Sequence, residues 1–164
     1  MNATASPVVR DGGRQGYRSP TSTTDAIIEY AQGGVTGIIL IARRNPPHGL
    51  ALPGGFHEYG LTLEENAIKE VSEETNLEFL IRNPGRPWTY SDPARDPRGH
   101  MIGHVFYGTG RGFLRAGDDA ATARLYSYTE VNRLLDEHER GESVFAFDHA
   151  RIINDYLTFR GVRG

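Results

Sequence analysis

Residues 53–77 read PGGFHEYGLTLEENAIKEVSEETNL, in which a glycine-rich segment precedes an acidic segment with helical spacing. Thr62 and Glu65 have the spacing of a capping box, in which each side chain bonds to the backbone of the other residue. A helix is therefore predicted to begin after Thr62 and to run to Thr75. Asn76 is predicted to end the helix, because Asn adopts the left-handed conformation more readily than most residues with a side chain.

Three glutamates of this helix are predicted to lie on one side of it. At about 100° per residue, Glu70, Glu73 and Glu74 fall within an arc of roughly 100°, beside an apolar stripe. Like charges at this spacing repel one another, and a divalent cation would turn the repulsion into attraction. The helix taken alone is more typical of a solvated acidic surface. The glycines upstream favour a metal site, because the backbone there can approach a ligand closely.

The whole stretch resembles the Nudix box, G-x5-E-x7-R-E-U-x-E-E-x-G-U with U an apolar residue, and residues 55–77 align with it without gaps. By this resemblance, Glu70, Glu73 and Glu74 would bind metal and activate water, and the carbonyl of Gly54 would complete the metal site. The resemblance implies a metal-dependent hydrolase of nucleoside diphosphate derivatives. Mg²⁺ is the expected cofactor, with Mn²⁺ as the alternative.

Three positions depart from this motif. Leu61 stands where the family has Glu, Lys69 where it has Arg, and Asn76 where it has Gly. Asn76 suits the left-handed position, but the family's Glu and Arg form an ion pair that braces the glycine segment against the helix. Leu61 has no charge, so this brace is predicted to be missing or replaced. Glu58 and Glu64 are the two candidates for a replacement.

The pattern on both sides of the motif predicts an α/β fold, and the resemblance implies a Nudix-type α/β/α sandwich with a mixed β-sheet between helices. Residues 1–20 are predicted to form a flexible tail and residues 21–164 a single domain. Apolar alternation and β-branched residues predict strands, and 3.6-residue spacing predicts two more helices. The predicted strands are residues 24–31, 35–44, 78–82, 87–90 and 101–108, and the helices are residues 131–140 and 149–159.

A Pro- and Arg-rich loop at residues 91–100 resembles the corresponding segment of the ADP-ribose pyrophosphatase branch, as do residues 116–120 and 147–153. Arg95 and Arg98 suit bidentate contact with a diphosphate or with ribose hydroxyls. A solvated basic turn is the competing interpretation. The predicted substrate-binding residues are Arg95, Arg98, His100, Gly55 and Phe56.

Four other side chains have a functional and a structural interpretation. Asp118 or Asp119 could add an acidic group near the metal, although Asp is also common in turns for its local hydrogen bonds. Trp88 and Tyr90 could stack on a base, although aromatic residues on a strand usually belong to the core.

Composition excludes several classes of site and partner. The chain has no cysteine, so sulfur-bound metals and thiolate catalysis are excluded and oxygen ligands are favoured. A net charge of −3 argues against a nucleic-acid polymer as partner. The apolar runs are far shorter than the roughly 20 residues of a membrane span, and no secretory signal is recognisable, so a cytoplasmic protein is expected. The resemblance also makes a homodimer a possibility.

The expected reaction is hydrolysis of ADP-ribose to AMP and ribose 5-phosphate. One alternative keeps the chemistry and changes the substrate to an oxidised nucleoside triphosphate, a dinucleoside polyphosphate or a dinucleotide coenzyme such as NADH. The other is a non-catalytic ADP-ribose sensor, which the departures at Leu61 and Lys69 bring into consideration.

Overall fold

The computed structural model describes residues 10–11, 14–15, 18–116 and 120–163. The elements are β1 Arg10–Asp11, β2 Arg14–Gln15, β3 Thr21–Gln32, β4 Val35–Arg43, β5 Leu50–Ala51, β6 Gly54–Phe56, α1 Leu63–Thr75, β7 Glu78–Ile81, β8 Trp88–Tyr90, β9 Met101–Arg111, β10 Ala120–Ser127, α2 Tyr128–Glu139 and α3 His149–Phe159. An eight-stranded mixed sheet has the main strand order β10-β4-β3-β9-β7, and the short strands β5, β6 and β8 pair with β4, β3 and β9. Among the strand pairs of these described ranges, only β3–β9 is parallel, and β1 and β2 form a separate antiparallel pair.

Both faces of the sheet are covered, because successive side chains of a strand point to opposite faces. On β3, Ala26 and Ile28 pack in the cluster that includes Val71 of α1. Ile27, between them, packs in the cluster that includes Val131 of α2 and residues of α3. One helix therefore covers one face and two helices cover the other, which confirms the predicted α/β/α sandwich with a mixed sheet.

The first helix has the predicted bounds. Thr62 accepts a bond from the backbone N–H of Glu65 at 3.2 Å, and Glu65 accepts one from the N–H of Thr62 at 2.8 Å, so the capping box is complete. Asn76 follows the helix with φ 61°, in the left-handed region. These local signals position the acidic segment relative to the glycines that precede it.

The structure differs from the prediction at several places: β3 begins at Thr21 rather than at residue 24, and β10 lies outside the predicted strands. The second helix begins at Tyr128 rather than at residue 131, because Ser127 and Glu130 form a second capping box whose polar residues hide the start of the apolar pattern. The strand β9 continues to Arg111, three residues beyond its predicted end. Residues 54–56, expected to turn, are an extended strand paired with β3.

The predicted flexible tail lies largely outside the described residues, as do Asp118 and Asp119. Trp88 is partly buried and packs against the core, and its ring centroid lies 5.4 Å from that of Phe159 and 5.6 Å from that of Tyr107. Within the described ranges, no helix is long and apolar enough to cross a bilayer.

Candidate active site

A buried asparagine fastens the loop after β6 to the first helix and to the sheet. Asn66 is fully buried on α1 and donates to Thr24 Oγ1 of β3 at 2.8 Å and to the carbonyl of Phe56 at 3.2 Å. Its side-chain oxygen accepts the backbone N–H of Glu58 at 3.0 Å. These bonds satisfy the amide and hold both ends of the short segment 56–58 in place.

The same loop then closes in a turn. The N–H of Leu61 donates to the carbonyl of Glu58 at 3.3 Å, and Gly60 has φ +88°, a value that favours glycine. The imidazole Nε2 of His57 lies 2.7 Å from the carbonyl of Leu61. The loop is therefore organised by its own hydrogen bonds as well as by Asn66.

The three helix carboxylates have different partners. Glu74 accepts the backbone N–H of Gly54 at 2.9 Å, whereas Glu73 lies 2.9 Å from the ammonium of Lys69. A Cβ on Gly55 would lie 2.7 Å from the carboxyl group of Glu70, so any other residue at position 55 would push this carboxylate away from its present position. Two of the three predicted glutamates thus contact the predicted glycines.

The electrostatics of this cluster suit a divalent cation. Burial, together with the like charges of Glu70 and Asp25, raises the pKa of Glu74 to about 8. Burial raises the pKa of Asp25, which pairs with Gly54 in the sheet, to about 7. Among the described residues, no three Asp, Glu or His side chains already surround one point. The oxygen donors at Gly54 and Glu74 nevertheless fit Mg²⁺ or Mn²⁺, whose charge would offset the crowding of carboxylates.

Lys69 connects the loop with the helix. Its Nζ lies 2.8 Å from Glu58 Oε1 and 2.9 Å from Glu73 Oε2. The hydrogen bonds to Glu58 and Glu73 raise the pKa of Lys69 above its ordinary value. Glu64, the other candidate for the brace, instead accepts the backbone N–H of Gly85 at 2.7 Å. The brace that Leu61 cannot form is therefore made by Glu58.

Beside Gly54 and Gly55 lies a cavity whose walls carry guanidinium groups and aromatic rings. Arg98 stacks on Phe147 at 4.7 Å and on Phe56 at 5.0 Å, and Arg43 stacks on Phe147 at 4.6 Å. Phe147 has φ +54°, and such unfavourable backbone conformations cluster at ligand sites. The lining residues are Thr23, Asp25, Arg43, Ala51, Leu52, Gly54, Gly55, Phe56, Arg95, Asp96, Arg98, Phe147 and His149.

The deep wall of the cavity is held by a buried ion pair and a neutral histidine. Arg95 donates from Nε and Nη2 to the two carboxylate oxygens of Asp148 at 2.9 Å and 2.7 Å. His149 Nδ1 accepts the N–H of Leu52 at 3.0 Å. Burial, with the nearby cations Arg95 and Arg43, lowers the pKa of His149 to about 3. The positive charge of the cavity therefore comes from arginines.

The family model of the NUDIX domain matches residues 20–147, which include the loop, the acidic helix and most of the cavity wall. The chain belongs to the Nudix family. An ADP-ribose pyrophosphatase of Methanocaldococcus jannaschii is 39% identical to it over 147 residues, which are 88% of this chain and 77% of that protein.

Solved structures share the Nudix fold at lower identity. A MutT/nudix family protein of Enterococcus faecalis superposes with a TM-score of 0.71 at 23% identity, over 89% of this chain and 65% of that one. The NUDIX domain of Shewanella oneidensis NrtR, complexed with ADP ribose, gives 0.68 at 19% identity, over 88% and 90% of the two chains. A bifunctional NMN adenylyltransferase/ADP ribose pyrophosphatase of Francisella tularensis, complexed with AMP and an Mn ion, gives 0.69 at 24% identity, over 88% and 42%.

The structure brings most of the residues predicted for a Nudix site together. Gly55, Phe56, Arg95 and Arg98 line the cavity, whereas His100 lies outside it, with Nε2 3.1 Å from the carbonyl of Ser91. Sequence reasoning missed Asp25, Arg43 and Asn66, and it gave no individual role to Phe147 and His149, which lie in the segment 147–153 that resembles the ADP-ribose pyrophosphatase branch. A charged residue inside an apolar strand was a usable signal for Asp25, because unpaired buried carboxylates are rare.

Proposed function

We propose that this chain hydrolyses the pyrophosphate of ADP-ribose with Mg²⁺, releasing AMP and ribose 5-phosphate. Its class, a Nudix pyrophosphohydrolase, rests on the family match and on the identity to the archaeal pyrophosphatase. The observation that carries the proposal is the position of Glu70 and Glu74 against Gly54 and Gly55, at the edge of the arginine-lined cavity. A carboxylate cluster next to a cationic cavity suits a metal-bound diphosphate.

Each group has a distinct part in the proposed reaction. Glu70, Glu73 and Glu74, with the Gly54 carbonyl, would hold Mg²⁺ or Mn²⁺, which supplies charge neutralisation and a water of lowered pKa. Arg98 is oriented by its aromatic neighbours and its ion pair with Asp96 at 2.8 Å, so its position is preorganised for a phosphate oxygen. The aromatic rings of the same wall offer stacking surface to the ribose or base.

A panel of nucleotides tests the proposal. ADP-ribose, a dinucleoside polyphosphate, NADH and an oxidised nucleoside triphosphate are incubated with the protein, with and without Mg²⁺. Phosphate is measured after a coupled phosphatase, which is replaced by inorganic pyrophosphatase for the triphosphate. Mg²⁺-dependent turnover of ADP-ribose is expected, with loss of at least about a hundredfold in Glu70→Gln and Glu74→Gln. Glu64→Gln on the same helix is the matched control and should remain active.

The other outcomes select the alternatives. Faster turnover of another nucleotide would replace ADP-ribose as the substrate and keep the chemistry. Tight binding of ADP-ribose without turnover of any nucleotide would select the sensor. The expected homodimer is tested by light scattering after size-exclusion chromatography, and the cytoplasmic location stays a prediction.

A further inference from the structure

The ammonium of Lys69 is shared between two carboxylates on different elements. Glu58 lies in the loop that follows the glycines, and Glu73 lies on the metal-facing helix, at 2.8 Å and 2.9 Å from the same nitrogen. One cation therefore ties the loop to the helix and also contacts a glutamate of the proposed metal site.

Glu58 can reach Lys69 because of the turn between residues 58 and 61. The first and fourth residues of a β-turn have Cα atoms within about 7 Å of each other. A side chain at position 58 can therefore reach Lys69, the partner that a glutamate at position 61 would contact. The hydrogen bond from the Glu58 N–H to buried Asn66 fixes where this side chain starts. Leu61, at the other end of the turn, has no charged group to compete.

Because the ion pair of Lys69 and Glu58 is exposed, we expect it to affect the metal site more than the folding stability. The Lys69 and Glu58 side chains are 34% and 51% exposed, and ion pairs at such positions contribute little to folding stability. The charge balance has a larger consequence for the metal site. Without Glu58, the ammonium of Lys69 would be left to Glu73 alone and would compete with a metal ion for that carboxylate.

We propose that Glu58 is a positioning residue for the metal site, replacing the glutamate that the Nudix motif carries at position 61. By sharing Lys69 it leaves Glu73 available to the metal and holds the loop against the helix. This inference rests on the proposed function, because it concerns the same metal site.

Mn²⁺ binding to the full chain without substrate, followed by electron paramagnetic resonance, tests the inference. Glu58→Gln is expected to weaken Mn²⁺ affinity about tenfold, the scale typical of groups that orient metal ligands, and to lower kcat on ADP-ribose with little change in KM. Its melting temperature should change by less than about 2 °C, because the pair is exposed. Adding Leu61→Glu to Glu58→Gln should restore the affinity, and Glu64→Gln should leave it unchanged.

Two results would overturn the inference. One is a wild-type Mn²⁺ affinity in Glu58→Gln, and the other is a loss that Leu61→Glu does not reverse. Turnover by the wild-type chain distinguishes these failures from failure of the proposed function. In one further outcome, the wild-type chain hydrolyses no nucleotide while the Mn²⁺ affinities of the variants follow the expected pattern. This result would overturn the proposed hydrolysis of ADP-ribose and support the positioning role of Glu58.

Discussion

Replacing Arg95 by Ala is expected to lower the folding stability of the protein, and this loss is expected to be a larger effect than the loss of a substrate contact. The Arg95 side chain is 4% exposed and that of Asp148 is 16% exposed, and two hydrogen bonds of 2.7 Å and 2.9 Å join them. Removing one partner of a buried ion pair leaves the other charge uncompensated and costs about 3–5 kcal/mol. At about 2–4 °C per kcal/mol for a chain of this size, the melting temperature should fall by about 10 °C.

Urea unfolding followed by circular dichroism measures this loss directly, and the double variant Arg95→Ala/Asp148→Ala separates the pair from its surroundings. The double variant should lose less stability than the sum of the single variants, because the second substitution removes the uncompensated charge. Arg124→Ala is the matched control, since its ion pair with Glu130 is exposed on both sides and should contribute less than about 1 kcal/mol.

A free energy of unfolding of Arg95→Ala within about 1 kcal/mol of the wild-type value would refute this reasoning. In that case the guanidinium would be free for substrate, as the sequence alone suggested. With the expected loss, reduced activity of Arg95→Ala would report on folding, and Arg98→Ala would be the better test of substrate binding.

Four other measurements test Glu74, the loop asparagine and a buried glutamate at the far end of β3. Burial raises the pKa of Glu74 to about 8, and a carboxyl group must lose its proton to bind a metal. The affinity for Mn²⁺, measured by titration calorimetry, should therefore rise about tenfold per pH unit below pH 8 and then level off. An affinity that does not change with pH would contradict the role of Glu74 in metal binding. With its folded pKa raised, Glu74 also makes the metal-free protein lose stability as the pH rises from 4.5 through about 8. Glu74→Gln should reduce this loss of stability and leave the part due to Asp25, whose pKa burial raises to about 7. Asn66→Ala should lose about 2–4 kcal/mol in urea unfolding, because it leaves buried partners unsatisfied, and a loss below about 1 kcal/mol would show that the loop is held otherwise. Glu29 accepts hydrogen bonds from two tyrosine hydroxyls and from Arg82, and it forms an ion pair with Arg160, about 13 Å along β3 from Asp25. Glu29→Gln should therefore lower the melting temperature without changing kcat, and an equal loss of kcat would contradict its separation from the site.

The accuracy of the sequence prediction differed between local and long-range features. The bounds of the acidic helix were predicted residue by residue, because both caps are made by side chains within one turn of the helix ends. The second helix begins at the capping box of Ser127 and Glu130, three residues before the apolar pattern that predicts it, so the apolar spacing alone places its start too late. Gly54 and Gly55 were recognised as sites of close approach, but their extended conformation depends on pairing with β3.

The sequence by itself determined the family, the sandwich fold and the three carboxylates of the helix, since spacing along one helix already places them on one side. Only the tertiary structure decided which other groups join them. Asp25, Phe147 and His149 come from opposite ends of the chain, and the order of strands in the sheet brings them to one cavity. The choice of Glu58 over Glu64 as the partner of Lys69 was likewise decided by a turn and a buried amide, because an ion pair forms only where the backbone brings both charges within a few ångströms.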